Sequence, residues 1–372
     1  MKTIILDVAP PSVGREDLDI RMVELASLVS TYGGITIIEE LQKRDTPDYR
    51  TYVGSGKLEE LIALGNELGA ELLIIGNILK PAQIYQVNEM LRAQKSKMQA
   101  WDRVDLILKI FAQHANSPEA KLQIELASIK HMGPRIYGMG MELSRQGGGL
   151  GAKGQGETNT EIMKRHLRDQ AQKIREKLEI YERTRAQHRK RRKRQGFTTV
   201  GIVGYTNAGK STLMNVLTNK GVLAENKLFA TLGTSVGKMY VPTEDGRGME
   251  ILVNDTIGFI RDLPPDLIAA FSSTLEDSIE ADLLLHVIDA GDPDIIRKMA
   301  VVDETLQKIG ANQPRLLVFN KTDTIDSEQL MSTRMAFASA DPEFVSAHAG
   351  IGIDGLKQRI MKEILSQEKY SV

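Results

Sequence analysis

The sequence predicts an α/β protein in which a doubly wound, mainly parallel sheet follows a small α/β domain and a helical hairpin. Short apolar runs alternate with helical patterns over the first hundred residues, and six further apolar runs follow Thr198. Such alternation is typical of parallel sheets covered by helices. The length of 372 residues agrees with several domains, because one core rarely serves so long a chain.

Composition narrows the class of protein. Apolar residues make up 41% and charged residues 26% of the chain, as in globular proteins, and no apolar run is long enough to span a membrane. The absence of cysteine excludes disulfides, thiolate metal sites and cysteine nucleophiles. The N-terminal MKTIILDVAPP lacks a signal-peptide cleavage site, so it is predicted as a strand. We therefore expect a cytoplasmic protein, and we expect it to be a monomer.

The first predicted domain comprises residues 1–115. Four short apolar runs separated by helical patterns favour a small, mainly parallel sheet with helices on its faces. These runs are TIILDV (3–8), ITIIEEL (35–41), ELLIIG (71–76) and MQAW (98–101).

The second predicted region, residues 116–196, is a helical hairpin with a Gly-rich tip and a basic linker. Its tip, residues 144–161, is predicted as a loop because of its glycine content. A helix is predicted from Glu161 to about Arg194, and it should pack on the preceding helix through one stripe. The stripe consists of Ile162, His166, Ile174, Leu178 and Tyr181.

The basic linker is a concentrated positive segment in a chain whose net charge is −1. From Arg183 to Arg194 it carries eight Lys or Arg residues, one His and no acid. A run of this kind is either a solvated helix end or an RNA-binding surface. Gly196 follows it and is predicted to end the helix.

The third predicted domain comprises residues 197–372 and has the strand count of a doubly wound nucleotide-binding domain. The six strand candidates are TTVGIVG, GKMYVP, MEILVND, LLLHVID, RLLVFN and EFVSA.

A phosphate-binding loop follows the first of these strands. Residues Gly204 to Ser211, GYTNAGKS, match G-x-x-x-x-G-K-[ST] between a buried strand and a helix start. Backbone N–H groups and the positive end of the helix would hold the phosphates. Lys210 would place its charge at the β- and γ-phosphates, and the Ser211 hydroxyl would bind Mg²⁺.

The base is predicted to be guanine. Asn320-Lys-Thr-Asp323 follows the strand LLVF, where a carboxylate can accept hydrogen bonds from guanine N1–H and its exocyclic amine. Adenine offers neither donor at the corresponding N1 and C2 positions, so a buried Asp323 would be left unpaired with ATP. Ser346 and Ala347 follow a later strand and could place backbone N–H groups on guanine O6. This part of the chain is therefore predicted as a P-loop GTPase domain.

Two further segments complete the predicted site. The sequence NDTIGF ends a strand, so Asp255 can hold Mg²⁺ through water and Gly258 can approach the γ-phosphate. Thr231 is our choice for the second protein ligand of Mg²⁺, with Thr234 and Ser235 as competing hydroxyls. In small GTPases a Gln follows the DxxG glycine and orients the attacking water, whereas this chain has Phe259 there. Intrinsic hydrolysis should therefore be slow, and an exposed structural role is favoured for the nearby Arg261.

The segments between residues 50 and 260 resemble the HflX GTPases, a ribosome-associated family of the translation-factor-related class. The resemblance is carried by TYVGSGKLEEL (51–61), DRVDLILKIFAQHA (102–115), KLQIELA (121–127), SRQGGGLGAKGQGET (144–158) and LFATLG (228–233). Two segments depart from the family pattern: Gly233-Thr-Ser stands for Asp-Pro-Thr, and GAKGQGET stands for GTRGPGET.

The resemblance implies a GTPase that binds the large ribosomal subunit through its rRNA and acts in GTP-dependent splitting or rescue of ribosomes under stress. It implies Lys210, Thr231 and Gly258 in catalysis, and Mg²⁺ at Ser211 and Thr231. The implied contacts with GTP or GDP are Gly204, Tyr205, Thr206, Asn207, Ala208, Gly209, Lys210, Ser211, Phe229, Ala230, Thr231, Leu232, Gly233, Asp255, Thr256, Ile257, Gly258, Asn320, Lys321, Thr322, Asp323, Ser346 and Ala347.

Other readings of the sequence stay open or are rejected. A GTPase of ribosome assembly or tRNA modification would share every motif of the third domain, whereas the NKTD motif argues against an ATP-driven enzyme. Gly149 to Gly154 satisfies G-x-G-x-x-G, but without a preceding strand a dinucleotide site is not expected. Gly54 to Lys57 is a fragment of a phosphate loop, for which packing at a helix start is favoured over a second nucleotide site. The six histidines show no metal-ligand spacing.

Overall fold

The computed structural model describes residues 1–115, 117–135, 153–218, 235–242, 248–255, 258–261, 267 and 281–370. The chain divides into two units: Met1–Gln113 with Lys121–Leu178, and His114–Ala120 with Glu179–Val372. The division into three domains after residues 115 and 196 stays a prediction. Within the described residues, no helix is both long and apolar enough to cross a membrane.

The first unit is built on a four-stranded sheet with the order β2-β1-β3-β4, in which every pairing is parallel. All four predicted strands are present. They are β1 Lys2–Ala9, β2 Ile35–Lys43, β3 Leu72–Ile75 and β4 Gln99–Asp102. The helices of this layer are α1 Arg15–Tyr32, α2 Ser55–Leu68, α3 Pro81–Ala93 and α4 Arg103–His114.

The core of this sheet lies between its strands and the helices α2 and α3. Ile4, Leu6, Leu73 and Ile75 are fully buried there with apolar residues of the two helices. Both faces of β3 are covered, which explains why its sequence LLII shows no alternation. The ring of Trp101 on β4 stands edge-on to that of Tyr32 at the end of α1, with centroids 5.3 Å apart.

The hairpin consists of α5 Pro118–Met132, a 3₁₀ turn Gly133–Arg135 and α6 Lys153–Arg194. The predicted loop was too long, because residues 153–161 belong to α6. Extending an existing helix costs far less than starting one, so glycine at 154 and 156 does not end it. Residues 144–152, the rest of the predicted tip, lie outside the described residues. Gly196 has φ = 70° and follows the helix end, as predicted.

The predicted packing stripe of α6 is shorter than expected. Ala171 and Ile174 are buried against Leu126 of α5, with Leu178 partly buried beside them. Ile162, His166 and Tyr181 are exposed instead. The prediction was wrong at both ends, because α5 is 15 residues long and covers only part of a helix of 42 residues.

An ion-pair cluster fastens the end of α5 to the start of α4. Arg135 donates to Asp102 at 2.8 Å and to Asp105 at 2.6 Å, and His131 contacts both carboxylates. Burial alone would lower the pKa of His131, but hydrogen bonds to Asp102 and Asp105 raise it to about 9. Two cations therefore neutralise two buried acids.

The second unit is built on a six-stranded sheet with the order β10-β9-β8-β5-β7-β6. Only the β6–β7 pairing is antiparallel among these strands. The strands are β5 Thr198–Gly204, β6 Ser235–Pro242, β7 Gly248–Asp255, β8 Leu283–Asp289, β9 Arg315–Asn320 and β10 Glu343–Phe344. The helices are α7 Lys210–Thr218, α8 Ile295–Lys308, α9 Ser327–Ala336 and α10 Ile353–Tyr370.

All six predicted strands of this unit are present, and the last is shorter than its apolar run. β10 stops at Phe344 because Val345 O accepts a bond from Thr322 N and Ser346 pairs with Ile351. The parallel strands direct their carboxyl ends to one edge of the sheet. The strand order reverses at β5, whose neighbours β7 and β8 lie on opposite sides. In doubly wound sheets, ligands bind at such a switch point.

Candidate nucleotide-binding site

The phosphate loop leaves β5 at Gly204 and enters α7 at Lys210. Three of its residues have positive φ: Gly204 at 150°, Asn207 at 63° and Gly209 at 89°. A Cβ atom on Gly204 would overlap the Val287 carbonyl, and one on Gly209 would overlap the Asn320 amide. The two glycines are therefore required by close packing as well as by backbone conformation.

Lys210 is buried beneath the loop, with 6% of its surface exposed. Its Nζ donates to Tyr205 O at 2.7 Å. Burial lowers the pKa of Lys210 to about 8, and Asp255 partly opposes that shift. Thr206 Oγ1 is also buried, and it has no hydrogen-bond partner within the described residues. A buried cation beside an unsatisfied hydroxyl fits an anionic, oxygen-rich ligand such as a phosphate.

Ser211 and Asp255 supply the oxygen atoms that Mg²⁺ prefers. Ser211 Oγ donates to Asp255 Oδ2 at 2.8 Å, and Asp255 is fully buried at the end of β7. A hydroxyl paired with a carboxylate at the start of α7 therefore fits a magnesium ion. Thr231, the other predicted ligand, lies outside the described residues, as do Phe229, Ala230, Leu232, Gly233, Thr234, Thr256 and Ile257. The Ser235 side chain is likewise undescribed.

Gly258 lies against the phosphate loop. A Cβ atom built on it would stand 2.8 Å from Lys210 Nζ and 2.9 Å from Thr206 Cα. The following residue, Phe259, pairs with the loop through its backbone: its N–H donates to Gly204 O at 3.1 Å, and its carbonyl accepts from Thr206 N at 2.8 Å. No side chain would fit at position 258 without moving the loop.

Asn320 joins the phosphate loop to the loop after β10. Its Nδ2 donates to Ala208 O at 2.9 Å, and its Oδ1 accepts from Ala347 N at 3.0 Å. The next residue, Lys321, has φ = 62° and donates from Nζ to Asp289 Oδ2 at 2.7 Å. The structure thus brings together the three predicted segments at 204–211, 320–323 and 346–347.

Asp323 lies at the outer end of this arrangement. Ser346 Oγ donates to its Oδ1 at 2.5 Å and receives a bond from Ala349 N at 3.0 Å. The hydrogen bond from Ser346 holds the pKa of Asp323 below its usual value. Asp323 is exposed, so the prediction of a buried carboxylate was wrong. It follows the carboxyl end of β9, at the same edge of the sheet where the phosphate loop leaves β5.

Several contacts in the second unit were not predicted from the sequence. Tyr205 OH accepts a bond from Arg261 N at 2.9 Å, and Lys298 Nζ lies 5.2 Å from the Tyr205 ring centroid. His286 in β8 is 1% exposed, and its Nδ1 has no partner in the described part of the chain. A polar residue inside an apolar strand, as in LLLHVID, is the one clue that the sequence offered.

Of the remaining candidates from the sequence, the segment Gly54 to Lys57 contacts neighbouring residues of the first unit. Gly54 N donates to Gln42 Oε1 at 2.8 Å, and Lys57 Nζ contacts Glu40 at 3.3 Å and Glu60 at 3.0 Å. This is the favoured packing at a helix start, since acids already neutralise Lys57.

The segment Gly149 to Gly154 lies partly outside the described residues, and its last two positions are helical. The spacing of the histidines in the sequence predicted no metal site. In the structure, however, His131 lies beside Asp102 and Asp105, and their possible ligand atoms are within 4.8 Å of one another. Arg135 already binds both carboxylates, so the cluster is an ion-pair network.

Comparison with protein families matches three consecutive regions. Residues 19–112 match the GTP-binding GTPase N-terminal family, and residues 114–192 match the GTP-binding GTPase middle region. Residues 199–321 match the family described as 50S ribosome-binding GTPase.

Individual relatives are similar over most of the chain. GTPase HflX of Caldanaerobacter subterraneus subsp. tengcongensis is 42% identical over 345 residues, which is 92% of this chain and 77% of that protein. GTPase HflX of Escherichia coli is 38% identical, over 92% of this chain and 78% of that protein. GTPase HflX of Methanocaldococcus jannaschii is 37% identical, over 92% and 81%.

Two solved structures share the fold. The SsGBP–GDP complex is 25% identical with a TM-score of 0.55, and the alignment covers 99% of both chains. A GTP-binding protein of Sulfolobus solfataricus in complex with GDP is 26% identical with a TM-score of 0.50, over 99% of this chain and 100% of that one. Both hold GDP, which agrees with the phosphate loop and base-side geometry described above.

Proposed function

This chain belongs to the HflX family of GTPases, and we propose that it binds the large ribosomal subunit and splits or rescues ribosomes under stress in a GTP-dependent manner. The observation that carries the proposal is the extent of the similarity, which covers both units and 92% of the chain at 42% identity. A GTPase of ribosome assembly or tRNA modification would share the G-domain motifs but not the first two regions. The match of residues 199–321 to a 50S ribosome-binding family supports the same partner.

GTP hydrolysis by this site depends on charge placement and orientation. Lys210, buried with its Nζ at Tyr205 O, directs a positive charge to the β- and γ-phosphates. Gly258 presents a backbone N–H to the γ-phosphate from a position where a side chain would clash with Lys210. Asn320 fixes the distance between the phosphate loop and the base-reading residues, because one buried side chain bonds to both loops.

Mg²⁺ is part of the proposal. Ser211 would hold the ion directly, Asp255 would hold it through water, and Thr231 would supply the second protein hydroxyl. When bound, the ion neutralises phosphate charge that develops during transfer. We further propose that the protein acts in the cytoplasm as a monomer.

Co-sedimentation with purified ribosomal subunits tests the proposed partner. The full-length protein is mixed with large or small subunits in GDP or in a non-hydrolysable GTP analogue, and the pelleted fraction is measured. We expect binding to large subunits in the GTP analogue and weaker binding in GDP. If the protein pellets with neither subunit, in GDP or in the GTP analogue, the proposal is refuted.

A further inference from the structure

We propose that the exposed cations at the end of α6 form an RNA-binding face that contacts the phosphate backbone. This basic face consists of Lys190, Arg191 and Arg194. The inference rests on the proposed ribosomal function, and it names the surface of the second unit that meets RNA.

The basic face is exposed and carries uncompensated charge. All three side chains are exposed, and none makes an ion pair within the described residues. No acidic residue occurs between Arg183 and Arg194. One turn earlier the positive charge is still balanced, because the guanidinium of Arg183 lies 3.8 Å from the carboxylate of Glu179. The excess of positive charge therefore begins after Arg183.

Arg185 shows that the basic run has two sides with different roles. It forms an ion pair with Glu119 of α5, and both side chains are about one-fifth exposed. Arg194 lies nine positions after Arg185, which places the two about 180° apart around the helix. One side of the run thus holds the helix against α5, and the other side is available to a partner.

Helix stability does not explain the basic face. Cations favour the last turn of a helix, because the helix dipole is negative there, and this accounts for single charges near Arg194. However, Lys190 and Arg194 are four residues apart, and Arg191 and Arg194 are three apart. Like charges at these spacings repel and destabilise the helix. An anionic partner would remove that cost.

The composition of the run favours RNA over a lipid surface. Helices that lie on membranes bury a face of large apolar side chains, whereas residues 183–194 contain only alanine as an apolar residue. Arginine predominates in the run, and its planar guanidinium binds phosphate oxygens in pairs. Long basic side chains without apolar neighbours are suited to a phosphate backbone.

The test is the salt dependence of binding to two probes, a short RNA duplex and purified large ribosomal subunits. The variant is K190Q/R191Q/R194Q in the full chain. Each phosphate contact contributes roughly 0.7 to 0.9 to the slope of log K against log salt, so the variant's slope should be shallower by about 2 to 3. GTP affinity should be unchanged, since none of the three residues belongs to the nucleotide site.

The matched control is K238Q/K308Q/K362Q, which removes the same net charge from exposed positions elsewhere in the second unit. A second control, R185Q, removes a cation from the other side of α6. Both controls should keep the parent slope. If these controls lower the slope as much as the variant does, general charge attracts RNA and the proposed face is wrong.

Other outcomes separate the face from the proposed function. If the parent binds subunits and the variant keeps its slope, the face is wrong and the ribosomal function stands. If the parent binds duplex RNA but no subunit, and the variant's slope is shallower, the face stands and the ribosomal function fails. Vesicles of anionic phosphatidylserine test a lipid surface as the partner. If the parent binds the vesicles and the variant does not, while RNA binding is the same for both, the inference is overturned.

Discussion

Asn320 holds together two loops that are far apart in the sequence. Its amide bonds to Ala208 O and Ala347 N leave both groups of the side chain satisfied in a position that is 2% exposed. Because these bonds are buried, water cannot replace them at little cost. These two bonds thus hold the phosphate side and the base side of the site at a fixed separation.

Asp323 is expected to determine the choice of base. Asp323→Asn should weaken GTP binding by roughly 10²-fold or more and strengthen binding of xanthosine triphosphate, because an amide donates where a carboxylate only accepts. Dissociation constants for the two nucleotides, measured by isothermal titration, check this. Glu328→Gln on α9 removes an exposed carboxylate nearby and should change neither constant. Unaltered GTP affinity in Asp323→Asn would show that another residue reads the base.

Lys210 gives nucleotide binding a pH dependence. Its pKa is lowered to about 8 by burial, whereas bound phosphates favour the charged form. Raising the pH above about 8 should therefore weaken GTP binding by up to tenfold per unit, with uptake of a proton on binding. Lys210→Ala should bind triphosphate more weakly, lose hydrolysis and show a flatter pH profile. A variant that hydrolyses GTP at the parent rate would refute this role.

His286 makes the second unit sensitive to acid. Burial lowers its pKa from 6.5 to about 3, so the folded unit keeps it neutral while the unfolded chain protonates it. Its contribution to stability is complete above pH 6.5 and is lost as the pH falls towards 3. At pH 5 the loss should be about 2 kcal/mol.

His286→Leu should remove most of this dependence. Hydrogen exchange at the amides of β8, compared at pH 7 and pH 5, measures the difference in opening free energy. His166→Gln, an exposed histidine of α6, serves as the control and should leave the difference intact. If His286→Leu retains the parent's full pH difference, another group is responsible.

At the scale of elements, the strands were predictable because buried parallel strands are continuous apolar runs. LLII and LLLHVID are buried on both faces, so composition alone identifies them. The motif residues at 204–211 and 320–323 were predictable because glycine and asparagine there serve backbone geometry. The helices were less predictable. The start of α6 at Lys153 lies within a Gly-rich segment, where a loop was predicted. Ile162 and Tyr181 of α6 are exposed because α5 is too short to cover them, and the length of α5 was not predicted.

The α5–α6 contact should be stabilised chiefly by its few buried residues. Ile174→Ala removes a side chain that is 4% exposed and should cost about 2–4 kcal/mol. Ile180→Ala on the same helix alters a side chain that is 64% exposed and should cost less than about 0.5 kcal/mol. Protection of α6 amides from hydrogen exchange distinguishes the two. Equal effects would mean that the buried cluster does not hold the hairpin.

At the scale of the whole molecule, hydrolysis is expected to need a partner. Phe259 is 3% exposed and is tied to the phosphate loop by its backbone, so it brings no polar group to the attacking water. Free protein should therefore release phosphate slowly, and large ribosomal subunits should accelerate it by more than roughly tenfold. Phosphate release at saturating GTP, with small subunits as the control, measures this. A fast basal rate that large subunits leave unchanged would contradict it.

Trp101, which stands edge-on to Tyr32 in the first unit, is the single tryptophan of the chain. Lys109 Nζ lies 5.7 Å from its ring centroid, so both an aromatic ring and a cation surround the indole. Tryptophan fluorescence consequently reports on the first unit alone, because the second unit contains no tryptophan. Emission and far-ultraviolet ellipticity should then give separate melting curves, one for the N-terminal unit and one for the whole chain.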